Sequence, residues 1–362
     1  MKRFFIVMIS IVFIISGCNL PAAATTVTEE PATQLPPSPE PTSEPTAPVL
    51  ETIVPPTEAS IVHIDQPGEL PSNRAGHAGD YDSSITAGNK TSGGGDRFTF
   101  GRFERPFNAD TMDTYFPHLD IVDTLIYQDN MWLYGVITLR STDDNEALSG
   151  TYGVEFDLNL DGKGDWLILA DQPASEEWTT DGVRVYYDTN RDVGGLLPTL
   201  TDDPPVFSDG FENKVFDSGM GDDPDLAWVR ISPDDPHTIY IAIKRNILDG
   251  TGNAYLVGMW AGNEDLDPFI FDHNDHYTHE EAGAADKGLE FFYPVKQISE
   301  LDNSCRMAVG FQPTGNEPGL CPVLVEDNPP EGCPGEPPNG CGPYPNFWNP
   351  SICSCDVVEP PG

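Results

Sequence analysis

Oxygen-bearing side chains recur at alternate positions in one short segment near the middle of the chain. Asp157, Asn159, Asp161 and Asp165 stand at positions 1, 3, 5 and 9 of this segment, and Gly162 stands at position 6, where a tight turn is needed. Alternate residues of a curling loop point inward, so their oxygens can surround one hard cation. The spacing predicts a structural Ca²⁺ site, for which a solvated Asp-Gly turn without metal is the alternative.

The seventh position of the same loop is Lys163, which would bind the ion through its backbone carbonyl while its charge faces water. The twelfth position is Ile168, where a helix-loop-helix calcium site carries a glutamate. Apolar and polar residues alternate on both sides of the loop, from Tyr152 to Phe156 and again from Trp166. This period is typical of strands, so we expect the loop to connect the two strands of a β-hairpin.

A second group of alternating oxygens, Asp188, Asn190 and Asp192, follows a strand-like stretch and precedes two glycines. It predicts a second metal site or additional ligands for the first one. An Asx-rich turn that holds no ion explains the same residues.

The densest cluster of titratable residues lies between residues 272 and 281. On a helix, His276 and His279 would share one face with a glutamate, which is an arrangement that binds zinc. The glutamates follow the second histidine, unlike the His-Glu-x-x-His order of metalloproteases. Thr278, with Glu281 three residues later, instead fits a helix-capping box, and this is the interpretation that we favour.

Most aromatic residues of a β-rich chain are expected to fill its core. Trp178 differs because it lies in the polar segment Ser-Glu-Glu-Trp-Thr-Thr-Asp, residues 175–181. We therefore predict that Trp178 lies outside the core and offers a stacking platform for a ligand.

The charge balance narrows the classes of partner. The chain carries 18 Lys and Arg against 59 Asp and Glu, a formal net charge of −41 at pH 7. Nucleic-acid binding relies on cationic side chains that meet phosphates, so this balance argues against such partners. It is compatible with divalent cations, and equally with adaptation to salty surroundings.

The first residues combine a positive start, Met1-Lys2-Arg3, with an apolar run from Phe4 to Ile15 that is too short to span a bilayer. The run ends in Ile15-Ser16-Gly17-Cys18, which resembles the lipobox of bacterial lipoproteins. The resemblance implies that residues 1–17 are a signal peptide and that Cys18 carries acyl chains such as palmitate. We therefore expect an extracytoplasmic protein, anchored through Cys18 to the outer side of the bacterial cell membrane.

Residues 18–73 are rich in Pro, Thr, Ser, Ala and Glu. Such a composition cannot bury enough apolar area to offset the entropy lost on ordering. We predict a disordered linker that holds the folded part away from the membrane.

Residues 74–300 consist of strand-like segments separated by turn residues, with Asp129-Asn130 as one hairpin turn. This rhythm predicts a mostly β fold, a single antiparallel, jelly-roll-like β-sandwich stabilised by calcium. The predicted strands are Arg97–Phe103, Asp120–Tyr127, Met131–Leu139, Tyr152–Asp157, Trp166–Ala170, Val183–Tyr187, Ala227–Ile231, Thr238–Lys244, Tyr255–Trp260 and Leu289–Tyr293.

The order of these features is also informative. A strand opening with Asp120-Ile121-Val122 is followed by a Met131-Trp132-Leu133-Tyr134 strand and then by the Asp157-x-Asn159-x-Asp161-Gly162 loop. This order resembles β-sandwich modules related to family 9 carbohydrate-binding modules and DOMON domains. The resemblance implies a ligand-binding sandwich with structural calcium.

Residues 301–362 are predicted to be a small, disulfide-rich segment in which Pro and Gly dominate. An even number of cysteines in an exported segment implies up to three disulfides, with 15 possible pairings. A bridge between Cys305 and Cys321 is the simplest local closure. The cysteines of this segment are Cys305, Cys321, Cys333, Cys341, Cys353 and Cys355.

We expect the protein to bind carbohydrate or cell-wall polymer at the cell surface. A structural or adhesive surface protein without a small ligand is the first alternative. The second is a sandwich-type glycoside hydrolase, because Glu155-Phe156-Asp157 resembles half of the Glu-x-Asp-x-x-Glu strand of family 16 glycosidases. The second glutamate of that motif is replaced by Leu160, which removes one of the two carboxylates that a retaining mechanism needs.

Overall fold

The computed structural model describes residues 61–93, 96, 98, 101–191, 193, 210–263, 266–268, 271, 277–286, 295–315, 317, 319–321, 346–349 and 354–357. Among these residues, no helix combines the length and the apolar character needed to cross a lipid bilayer. Several predictions concern residues outside the described ranges: the signal peptide with Cys18, the linker as far as residue 60, Asp192, His276, Cys333, Cys341 and Cys353.

Strands dominate the described residues, and the helices are short. The helices are α1 (His279–Ala282) and 3-10 helices at Ser83–Ile85, Ala87–Asn89 and Arg245–Leu248. The strands are β1 (Arg74–Gly79), β2 (Glu104–Arg105), β3 (Ile121–Gln128), β4 (Trp132–Leu139), β5 (Thr151–Asp157), β6 (Trp166–Asp171), β7 (Val183–Tyr187), β8 (Asn213–Asp217), β9 (Met220–Gly221), β10 (Ala227–Ser232), β11 (Asp235–Lys244), β12 (Tyr255–Gly262), β13 (Leu301–Asn303), β14 (Met307–Val309), β15 (Asn346–Asn349) and β16 (Ser354–Val357).

Two antiparallel sheets make up the main body. The small sheet has the strand order β1-β3-β4-β11-β10. The large sheet has the order β2-β13-β12-β5-β6-β7-β8-β9, and β14 also pairs with β12. The turn between β3 and β4 forms at Asp129, as predicted, because Asp129 Oδ1 accepts hydrogen bonds from the N–H groups of Met131 and Trp132, both at 2.7 Å.

The main core lies between the two sheets. Alternate residues of each strand point into it, for example Tyr152, Val154 and Phe156 of β5 in the large sheet, and Ile239 and Ile241 of β11 in the small sheet. Every residue of β5 is nevertheless buried, because the outer face of the large sheet is covered as well. The prediction of a mostly β, antiparallel sandwich is confirmed.

A segment that we call the N-terminal strap, residues 61–70, covers the outer face of the small sheet. Beneath it lies an aromatic cluster that includes Trp132, Tyr134, Trp178 and Trp228, and Leu70 of the strap packs against this cluster. The predicted linker therefore ends earlier than residue 73, because its last residues belong to the sandwich.

The predicted end of the sandwich at residue 300 also differs from the structure, in which the sandwich extends farther along the chain. β13 and β14 both pair with β12, so residues 301–309 complete the large sheet. The predicted bridge between Cys305 and Cys321 is confirmed, and Cys305 lies two residues after the end of β13. Farther along, β15 and β16 form a separate two-stranded sheet, and Cys355 lies in β16.

Candidate functional site

The loop between β5 and β6 contains the residues predicted to bind calcium. The two strands pair directly on either side of it, so the predicted β-hairpin is confirmed. Asp157 is buried at the end of β5, where its Oδ1 accepts from Leu160 N at 2.7 Å and its Oδ2 from Gly162 N at 2.9 Å. Gly162 has a φ of 89°, the left-handed conformation that a tight turn at this position favours.

The other oxygens of the loop also accept backbone N–H groups. Asp165 is buried, and its Oδ2 accepts from Leu158 N at 2.6 Å. Asn159 and Asp161 are exposed. Asn159 Oδ1 accepts from Asp161 N at 2.9 Å, and Asp161 Oδ1 accepts from Lys163 N at 3.0 Å. These contacts shape the loop, and its binding of calcium, with Lys163 O as a ligand, stays a prediction.

Two carboxyl groups of the loop have raised pKa values. Burial raises the pKa of Asp157 to about 6, against the lowering effects of Arg306 and of two backbone N–H groups. Burial also raises the pKa of Asp165. Burial therefore disfavours the ionised form of both carboxyl groups, and Arg306 Nη1, 4.0 Å from Asp157 Oδ2, partly offsets this effect at Asp157.

Asp188, the first residue of the second predicted metal group, lies beside this loop. Its N–H donates to Asp165 O at 3.0 Å, so the two segments are neighbours. Asp188 is buried, and its Oδ1 accepts from Asn190 N at 3.0 Å and Arg191 N at 2.7 Å. The side chain of Asn190 is exposed. The segment thus forms an Asx turn, and a second ion there stays a prediction.

Glu155, from which a glycosidase mechanism would start, is enclosed by donors. It is buried, with Oε1 accepting from Arg306 Nη2 at 2.7 Å and Oε2 accepting from Trp260 Nε1 at 2.6 Å. Arg306 Nη1 also donates to Gly162 O at 2.6 Å, which connects this pair to the loop. Both oxygens of Glu155 are therefore committed inside the protein, which is the arrangement of a structural ion pair.

The prediction that Trp178 offers an exposed stacking platform is wrong. The residue is only 8% exposed. Its Nε1 donates to Gly68 O of the N-terminal strap at 3.1 Å, and the Arg230 guanidinium lies 4.8 Å from its ring centroid. The surrounding loop is polar in sequence, but a distant part of the chain covers the tryptophan.

The capping interpretation of Thr278 and Glu281 is confirmed. The Thr278 hydroxyl accepts from Glu281 N at 3.3 Å, and Glu281 Oε2 accepts from Thr278 N at 2.9 Å, at the start of α1. Both residues are thus engaged in capping.

An open cleft of about 480 Å³ lies at one end of the small sheet. Among its lining residues, Lys244 Nζ donates to Asp223 Oδ2 at 2.8 Å and to Asp65 Oδ2 of the strap at 3.0 Å. Arg245 Nη2 donates to Asn253 Oδ1 at 3.0 Å. The remaining lining residues are mostly amides and acids, namely Asn130, Asn246 and Asp249, with Met131 and Leu248 as apolar neighbours.

A cluster of buried carboxylates, Glu104, Asp120 and Asp302, was missed by the sequence analysis. One oxygen from each lies within 4.8 Å of the others. Glu104 in β2 and Asp302 in β13 are cross-strand partners, whereas Asp120 directly precedes β3 of the small sheet. Finding this cluster from the sequence would require knowing which distant strands pair. The spacing of residues within a short segment does not give that information.

No protein-family model, curated protein or solved structure matches this chain. The functional assignment therefore depends on the residues and their geometry.

Proposed function

We propose that this protein is a lipid-anchored cell-surface binding protein whose calcium-stabilised β-sandwich binds carbohydrate or a cell-wall polymer in the polar cleft. The observation that carries the proposal is the cleft itself, with its volume of about 480 Å³. The anchor rests on the lipobox ending in Cys18 and on the linker composition after it.

The lining of the cleft suits a polyhydroxylated ligand. Each hydroxyl of a sugar both donates and accepts, and each Asn side chain offers donors and an acceptor in one plane. Asn130 and Asn246 are exposed at the cleft, and Asp249 adds acceptors. Met131, 47% exposed, gives the apolar contact that a sugar ring needs on its C–H face.

Binding is tested with the purified full-length protein on an array of glycans and cell-wall fragments, with calcium and with chelator. We expect retention of at least one carbohydrate class and about thirtyfold weaker binding for the double variant Asn130→Ala/Asn246→Ala, since each of the two lost hydrogen bonds contributes roughly 1 kcal/mol. Asn145→Ala is the matched control, because Asn145 is an exposed loop amide that does not line the cleft.

Two results would count against the proposal. An array without any bound glycan would favour the adhesive alternative. Equal losses in the cleft variant and in Asn145→Ala would place binding elsewhere on the surface. The anchor has its own test, since Cys18→Ser should release the protein from membranes.

A further inference from the structure

The carboxylates Glu104, Asp120 and Asp302 have no cationic ion-pair partner among the described residues. Glu104 is buried, and Asp120 and Asp302 are completely buried. Elsewhere the protein neutralises a buried carboxylate with arginine, as Arg105 does for Asp96 at 2.7 Å. Three negative side chains thus share one site without the compensation that the fold supplies elsewhere.

Neutral donors reach only part of the cluster. Ser83 Oγ donates to Glu104 Oε1 at 2.6 Å, and the Tyr115 hydroxyl donates to Asp120 Oδ2. Ile121 N donates to Asp302 Oδ2 at 2.7 Å. These contacts orient the carboxylates, but they leave their shared charge in place.

Two buried oxygens at this site have no hydrogen-bond partner among the described residues. One is Asp302 Oδ1, on a side chain with 0% exposure. The other is Oδ2 of Asp80, which follows β1 and whose charge, with that of Asp120, acts on Asp302. A buried polar atom without a partner costs roughly 1–3 kcal/mol, so its persistence calls for a ligand.

From these observations we propose that Glu104, Asp120 and Asp302, with Asp80 beside them, bind a divalent cation, Ca²⁺, between the two sheets. Carboxylate oxygens are the ligands of hard cations, and Ca²⁺ lies about 2.3–2.6 Å from each of six to eight oxygens in flexible geometry. Oxygens within 4.8 Å of one another fit on opposite sides of such an ion.

The position of the site gives the ion a structural role. Asp80 and Asp120 flank strands of the small sheet, whereas Glu104 and Asp302 belong to the large sheet. The ion would therefore join the two sheets at their edge. This site is separate from the loop between β5 and β6, and it does not depend on ligand binding in the cleft.

Burial raises the pKa values of all four carboxyl groups, and repulsion from neighbouring carboxylates adds to it, whereas Arg102 lowers the pKa of Asp80. For Asp80 and Asp120 the pKa rises to about 7. A divalent ion bound by these carboxylates would compensate their repulsion.

The test compares two variants of the full-length protein. Asp302→Asn removes one charge at the cluster, and Asp161→Ala removes a ligand of the predicted loop site. Calcium content after dialysis is measured by elemental analysis, and the melting temperature is measured in Ca²⁺, in Mg²⁺ and in chelator. We expect Asp302→Asn to lose one ion per chain relative to wild type and Asp161→Ala to retain that ion.

The difference in melting temperature between Asp302→Asn and wild type should also change sign between Ca²⁺ and chelator. In Ca²⁺ the variant should melt at a lower temperature, because the ion is lost. In chelator, at a pH well above neutral where the cluster is ionised, it should melt at a higher temperature, because an uncompensated buried charge has been removed. The proposal would be overturned if Asp302→Asn kept the calcium content of wild type. It would also be overturned if the melting temperatures of both proteins were the same in Ca²⁺ and in chelator.

Terbium luminescence gives a second measurement that does not require a destabilising variant. Tb³⁺ replaces Ca²⁺, and its emission is excited through a nearby tyrosine. In an Asp161→Ala background, emission should persist and should fall severalfold on Tyr115→Phe, since the Tyr115 hydroxyl contacts Asp120. Absence of emission in the Asp161→Ala background would contradict a site at the cluster.

Discussion

Arg306 joins features that lie far apart in the sequence. Its guanidinium donates to Glu155 Oε1 and to Gly162 O, and it directly follows Cys305 of the disulfide. The Glu155 side chain is 2% exposed and that of Arg306 is 16% exposed, so the pair lies largely away from solvent. A single side chain thus holds the predicted calcium loop against the C-terminal part of the sandwich.

Arg306→Met is expected to destabilise the protein by roughly 3–5 kcal/mol, because it leaves Glu155 buried without its ion-pair partner. The free energy of unfolding is measured in urea. Adding Glu155→Gln to this variant should recover much of the loss, since the uncompensated charge is then gone. A double variant that is no more stable than Arg306→Met would show that the arginine acts through the loop alone.

Asp157 provides a pH test of the loop. Its folded pKa is about 6 against an ordinary value of 3.8, so folding favours the protonated carboxyl. Its contribution to stability is present below 3.8 and is lost as the pH rises through about 6. In chelator, wild type should therefore lose stability relative to Asp157→Asn across this window.

The readout is the difference in melting temperature between the two proteins at each pH. Excess Ca²⁺ should reverse its sign above about pH 6, because the ion requires the ionised carboxylate. A difference that is the same with calcium and with chelator would argue against calcium at Asp157.

The sequence predicts individual residues well where neighbours in the chain decide their environment. Asp157 and Asp165 stand at the two ends of one hairpin loop, and their place follows from the alternation of the flanking strands. Trp178 was misjudged because the cover comes from the distant strap. Glu104 and Asp302 were missed because they meet only when β2 pairs with β13.

At the level of elements, alternating β-branched and aromatic residues made strands such as β4, β5 and β11 predictable. β1 has the sequence Arg-Ala-Gly-His-Ala-Gly, whose small residues carry little strand signal, and it forms at the edge of the small sheet by pairing with β3. In the opposite sense, Arg97–Phe103 was predicted as a strand, but Gly101 there has a φ of 61°, which strands do not adopt.

Asp225 makes several contacts with the N-terminal strap. This carboxylate accepts from the N–H groups of Ile64 and Asp65, both at 2.8 Å, and lies 2.7 Å from His63 Nδ1. Burial alone would raise the pKa of Asp225, but these three partners lower it overall. Its contribution to stability is therefore present above 3.8 and is lost as the pH falls through the lower folded value.

Asp225→Asn should loosen the strap while leaving the sandwich folded. Hydrogen bonds to a charged acceptor contribute roughly 1.5–3 kcal/mol, so we expect at least about tenfold faster proteolysis within residues 61–70. Tryptophan fluorescence should shift as Trp178 and Trp228 lose their cover. Asp181→Asn, at an exposed acid, is the control, and equal cleavage rates in both variants would mean that Asp225 does not hold the strap.

At the scale of the whole molecule, the dominant property is the excess of acid. A net charge of −41 at pH 7 produces repulsion across the folded surface, and the chain reaches neutrality only near pH 4.1. Some arginines form ion pairs with particular buried acids, as in the Arg105–Asp96 and Arg306–Glu155 pairs. The remaining negative charge is screened by ions of the solvent and, at the carboxylate cluster, would be neutralised by the proposed cation.

Monovalent salt should therefore stabilise this protein at neutral pH, because ions shorten the range of repulsion to about 10 Å at 0.1 M and about 3 Å at 1 M. The melting temperature is measured against NaCl concentration, with chelator present so that no divalent ion contributes. We expect a rise of several degrees, since about 1 kcal/mol shifts the melting temperature of a domain of this size by roughly 2–4 °C. The rise should shrink near pH 4.1, where the net charge vanishes. A melting temperature that falls with salt at neutral pH would mean that attractive ion pairs, such as Lys244 with Asp223, outweigh the repulsion.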